Sequence, residues 1–64
     1  MFRAFVVPPR DFPIFSERLE RFEDAVREAF AMADAHGAMI VAVEWWQDGI
    51  RYVAELRRKE VRDV

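Results

Sequence analysis

The stretch Met39-Ile40-Val41-Ala42-Val43-Glu44-Trp45-Trp46-Gln47-Asp48-Gly49-Ile50-Arg51-Tyr52-Val53-Ala54-Glu55-Leu56-Arg57 reads as two strands folded about a turn. Asp48-Gly49 is the signal. A two-residue hairpin loop needs positive φ at both central residues, and Asp-Gly supplies it cheaply. With that loop, Gln47 faces Ile50, Trp45 faces Tyr52, Val43 faces Ala54 and Val41 faces Leu56. Side chains alternate along a strand, so these positions make one apolar face. The other face then carries Ile40 with Arg57, Ala42 with Glu55, Glu44 with Val53, and Trp46 with Arg51.

Upstream of the hairpin, Phe15, Leu19, Phe22, Val26, Ala29 and Ala33 recur at spacings of four and three. That pattern predicts one face of an amphipathic helix, from about residue 15 to about residue 36 and about 33 Å long. Ser16 is the expected N-cap, with Asp11 as an alternative start that puts Pro13 in the first turn. Gly37 is the expected C-cap, since glycine takes the left-handed conformation without strain. Glu17–Arg21 and Glu23–Arg27 fall at helix-favourable i, i+4 spacing. Before the helix, Phe2 to Val7 is a β-rich run halted by Pro8-Pro9, which cannot donate to a ladder. Phe12 and Ile14 are expected to cap one end of the core.

The order is therefore β-α-β-β, an α+β fold with one long helix on a three-stranded, mainly antiparallel sheet. The first strand has two candidate places. Beside the last strand it makes a fully antiparallel sheet; beside the strand after Gly37 it makes a parallel pair through a right-handed crossover. Residues 1–64 read as one small domain, with 57–64 as a charged tail that frays or extends the last strand.

Phe2 to Pro8, Gly37 to Val43 and Tyr52 to Arg58 together resemble a family of short bacterial β-α-β-β domains of unknown function. Its strand after the helix opens on a Gly-Trp-Glu-Leu-Val-like pattern, where this chain has Ala38 after Gly37. The resemblance implies a fold and no chemistry. The element order and the strand Trp are also similar to the dodecin family of flavin-binding oligomers.

Composition narrows the functional classes. The chain has 64 residues, 53% hydrophobic and 34% charged, which suits a globular domain and excludes multi-domain enzymes. It has no Cys, one His (His36) and a net charge of −2, so thiol chemistry is excluded and general nucleic-acid binding is disfavoured. Neither Asn nor Thr occurs, and Ser16 is the only Ser. A nucleophile–base pair cannot be assembled from this inventory, so no enzymatic activity, metal or cofactor is expected. His36 beside the helix end is read as a dipole partner; as a metal ligand it would need Asp34 or a second chain. Nine Arg against one Lys point to a GC-rich genome, and the scarcity of Asn, Gln and Cys suits a thermophile. The apolar run from Ala4 to Pro9 is too short for a signal peptide or a membrane span, so a cytoplasmic protein is expected.

One helix can cover one face of a sheet. The other face, with Ile40, Ala42, Glu44, Trp46, Arg51 and Val53, is the candidate interface. Trp46 either stacks on Arg51 at the surface or anchors a contact between copies. Glu44 and Glu55 read as a charge ladder with Arg51 and Arg57 rather than an acid–base pair, and could pair with those arginines across a symmetric contact. The leading functional reading is a non-enzymatic interaction module that self-associates through this face. A second reading is an oligomer holding a planar aromatic ligand, flavin-like, between Trp and Tyr side chains. A third is a nucleic-acid accessory protein using Arg57, Arg58 and Lys59.

Overall fold

The computed structural model describes residues 1–57. The strands are β1 (Phe2–Val7), β2 (Ile14–Leu19), β3 (Ile40–Gln47) and β4 (Ile50–Glu55), with helix α1 (Phe22–His36) between β2 and β3. They form one four-stranded sheet in the order β2-β1-β3-β4, antiparallel throughout. The class is α+β, but the order is β-β-α-β-β rather than β-α-β-β. The tail from Arg58 to Val64 lies outside the described residues.

The hairpin has the expected register. Gln47 pairs with Ile50, Trp45 with Tyr52 and Val43 with Ala54. Asp48 and Gly49 both have positive φ, 54° and 76°, as the tight loop demands. The first strand ends at Val7, before the two prolines.

The additional strand is the main correction. Residues 14–19 pair with β1 instead of opening the helix. The reason is non-local. The backbone groups of Phe2, Ala4 and Val6 on the side of β1 away from β3 need partners, and a helix begun near residue 15 would leave them without any. Phe15 and Leu19 fall into phase with the helical stripe by coincidence of spacing. The strand's own alternation is hidden by a β-bulge. Arg3 pairs with Arg18 while Phe5 pairs with Phe15, so Ser16 and Glu17 both stand opposite Ala4.

Ser16 is therefore not an N-cap. Its Oγ accepts from the Ala4 amide at 2.9 Å and donates to the Glu17 carbonyl at 2.7 Å, filling the gap that the bulge opens in the ladder. Ser16→Ala is expected to leave the Ala4 N–H unsatisfied in the sheet and to cost about 1–3 kcal/mol, read by chemical denaturation. An unchanged denaturation midpoint would mean that water takes over the bond.

The extra strand also settles where β1 lies. It sits beside β3, yet antiparallel to it, because the β1–β2 hairpin reverses the chain before the helix begins. Asp11 is likewise no helix start, and Phe12 caps nothing: it is 85% exposed in the loop between β1 and β2, while Ile14 packs on the core.

Helix α1 is 15 residues long and enters from an extended Arg21 without a side-chain cap. Glu23 and Asp24 in its first turn favour the positive end of the helix dipole. Glu17–Arg21 is not a helical pair, as Glu17 belongs to β2. The helix ends on Gly37 in the left-handed region, and the amides of Gly37 and Ala38 both donate to the Ala33 carbonyl.

The helix meets the sheet through three alanines. Ala25, Ala29 and Ala33 are buried against Ala4, Val6, Val41 and Val43. Phe2, Phe22 and Trp45 close one end of this core, with ring centroids 5.6–5.8 Å apart. Small side chains on both layers let the helix seat closely, which compensates for the shortage of large core residues. The helix contacts β1, β2 and β3 but, among the described residues, not β4.

Candidate functional site

Alternation divides each strand between the layers. On the face away from α1 stand Arg3 and Phe5 from β1, Phe15 and Arg18 from β2, Ile40, Ala42, Glu44 and Trp46 from β3, and Arg51, Val53 and Glu55 from β4. Nothing within the described chain covers this face as α1 covers the other. Phe15, Ile40, Trp46 and Val53 are each between 44% and 50% exposed on it.

At its centre is a charge cluster. Glu44 is only 1% exposed. Its Oε1 accepts from Arg3, through Nε at 2.8 Å and through Nη2. Its Oε2 accepts from Arg51 Nε at 2.8 Å and forms an ion pair with Arg51 Nη2 at 2.6 Å. Register explains the convergence: Arg3 is directly opposite Glu44 on one side, and Arg51 is diagonal to it on the other. Burial pushes the Glu44 carboxyl up, but the hydrogen bonds and positive charges of Arg3 and Arg51 outweigh it, leaving the group below its ordinary value. The carboxylate is ionised at neutral pH and fully used within the chain.

Both arginines also lie against aromatic rings. The Arg3 guanidinium is 4.3 Å from the Phe15 centroid, and that of Arg51 is 5.8 Å from the Phe5 centroid. Phe5 and Phe15 contact each other at 5.5 Å. A depression of about 380 Å³ beside this cluster is lined by Met1, Arg3, Arg18, Glu44 and Trp46.

Several expected site residues hold different places. Arg51 turns to Glu44 and Phe5, so the expected stack on Trp46 is not made. Glu44 is paired within its own chain, with Arg3 and Arg51. Ala42 is on the expected face but is 2% exposed, screened between Phe5 and Glu55 in the register. Tyr52 stacks on Trp45 at 5.7 Å on the helix side, as the hairpin register predicts, and Trp46 is on the opposite face. His36 is exposed in the last turn of α1, and no three His, Asp or Glu side chains gather as metal ligands among the described residues. Of the basic cluster, Arg57 is exposed, while Arg58 and Lys59 lie outside the described residues. No helix among the described residues is long and apolar enough to cross a membrane.

Arg3, Phe5, Phe15 and Arg18 belong to the site although the sequence reading left them out. The alternation of Phe2, Ala4 and Val6 against Arg3, Phe5 and Val7 is a readable signal for the first two. Phe15 and Arg18 are masked by the bulge.

Among known proteins, no family model, curated protein or solved structure matches the chain.

Proposed function

We propose that the chain is a non-enzymatic interaction module that self-associates through the sheet face opposite α1. The observation that carries this reading is the half-exposed set of Phe15, Ile40, Trp46 and Val53 on one face of a small sheet. A small domain loses stability by leaving such side chains wet, and large apolar side chains left half-exposed on one face mark interaction surfaces. The charges on the face favour the reading too. Glu44 is neutralised by its own chain, so a second copy can approach the centre without desolvating an unpaired carboxylate.

Trp46 is the expected anchor, since tryptophan dominates interface energetics. Trp46→Glu is expected to weaken association at least about thirtyfold, the equivalent of about 2 kcal/mol. Sedimentation equilibrium from micromolar to millimolar concentration reads this as a fall from a multiple of 7.6 kDa toward 7.6 kDa itself. A wild-type mass of 7.6 kDa at every concentration would refute self-association. An unchanged multimer in Trp46→Glu would remove the face from it.

A further inference from the structure

We infer that the open edge of β4 pairs with the β4 edge of a second copy, antiparallel and centred on Val53, to make one continuous eight-stranded sheet. The inference rests on the self-association reading only in that the partner is another copy; the contact is a different one, made by the edge-directed backbone of β4 rather than by the side chains of the face.

The hydrogen-bonding parity of β4 comes first. The Leu56 amide donates to the Val41 carbonyl at 2.8 Å, one position beyond the strand. In an antiparallel ladder, bonded and non-bonded pairs alternate. Positions 50, 52, 54 and 56 therefore direct their backbone groups to β3. Arg51, Val53 and Glu55 direct theirs to the edge.

The sequence at that edge is self-complementary. A two-fold axis at Val53 places Val53 opposite its own copy, and Arg51 opposite Glu55 of the second chain, twice. Directly opposed residues of an antiparallel pair share a face, so both ion pairs form on the side away from α1. Arg51 donates one of its five N–H groups, from Nε, to Glu44, and its guanidinium keeps further donors for this contact. Glu55 is exposed and makes no ion pair among the described residues.

Access is open. The helix does not reach β4, and Ile50 and Tyr52 on its helix side are 57% and 41% exposed. The two edges of the sheet are not equivalent. The β2 edge is interrupted by the bulge at Ser16 and Glu17, a device that blunts strand pairing. The β4 edge pairs with β3 at all six positions without a bulge, and carries no proline or lysine. An edge without bulge, proline or lysine is a template for another strand. A symmetric contact closes after two copies and goes no further.

The test combines variants with amide exchange. Val53→Pro removes an edge-directed N–H and no bond within the chain, a placement that an edge strand tolerates. It is expected to abolish edge pairing. Glu55→Arg sets Arg against Arg twice and is expected to weaken it about tenfold. In wild type, the amides of Arg51, Val53 and Glu55 should exchange slowly at millimolar concentration and rapidly on dilution. Those of Tyr52, Ala54 and Leu56 should be protected at both. If Val53→Pro does not fold, this alternation in wild type decides alone. Concentration-independent exchange at 51, 53 and 55 in a multimeric sample overturns the edge contact and leaves the face contact standing. Loss of the protected alternation in Trp46→Glu would overturn the independence of the two surfaces. A mass of 7.6 kDa at all concentrations overturns both contacts.

Discussion

Ala29→Asp is expected to leave the chain without a cooperative unfolding transition. Ala29 is fully buried between Ala25 and Ala33 on the face of α1 that seats on Ala4, Val6, Val41 and Val43. A carboxylate there finds only methyl and isopropyl groups, while Arg3 and Arg51 are on the other side of the sheet. An unpaired buried charge costs several kcal/mol. A domain of this size has about 3–5 kcal/mol of stability in total. The far-UV circular dichroism spectrum should lose its helical signal. Val26→Asp is the informative companion. Val26 is only partly buried against the core, so its carboxylate can turn to water, and a smaller loss of about 1–2 kcal/mol is expected. Equal damage from the two changes would show that a wider stripe than the three alanines seats the helix.

That contrast shows what local pattern could and could not supply. The periodicity placed Ala29 and Ala33 on the buried face because spacing alone determines which residues share a helix side. It ranked Val26 with them, and missed Ala25, because hydrophobicity was taken as the guide. Here the buried residues of the helix, Ala25, Ala29 and Ala33, have its smallest side chains. The hairpin was legible in detail for a different reason. Asp48-Gly49 restricts the turn, the turn restricts the register, and the register assigns every side chain from Val41 to Leu56 to a face.

The second strand was not legible, since nothing within Ile14 to Leu19 distinguishes it from a helical first turn. Its identity comes from the edge of β1 that it satisfies, which is a property of distant residues. The same error removes Phe15 and Arg18, the β2 part of the outer face. Phe15 was assigned to a helix, so its contacts with Arg3 and Phe5 had no place in the reading. A stack of Arg51 on Trp46, its directly opposed neighbour, is one of the two roles the sequence offers for that tryptophan. Arg51 turns instead to the diagonal Glu44, because a buried carboxylate outweighs a ring as a partner for a guanidinium.

Replacing both of those partners, Arg3→Met with Arg51→Met, is expected to destabilise the chain by about 3–5 kcal/mol at neutral pH, because Glu44 is then buried without a counter-charge. The pH dependence should invert with it. In wild type the Glu44 carboxyl lies below its ordinary value of 4.5, so the unfolded chain binds the proton more readily. Its contribution is complete above that value and is lost as the pH falls through the folded-state range. With both arginines gone, burial is the influence that remains, and it moves the carboxyl the other way. The folded chain then binds the proton more readily, and stability falls as the pH rises above 4.5. Melting temperatures measured from below that value to neutrality, with Glu44→Gln as the baseline, separate the two slopes. Parallel slopes in wild type and the double variant would show that water, rather than the arginines, carries the Glu44 charge. A third chain, Arg3→Met with Glu44→Leu and Arg51→Met, asks what the cluster is for. Apolar replacement of a buried ion cluster is neutral or stabilising by about 1–4 kcal/mol, so this chain is expected to fold. Its outer face is then apolar at the centre, with Arg18 and Glu55 left on the two outer strands, and its mass in solution should rise beyond the multiple that wild type forms. A rise of that kind assigns the cluster to limiting how copies meet, at no net gain in the stability of the single chain.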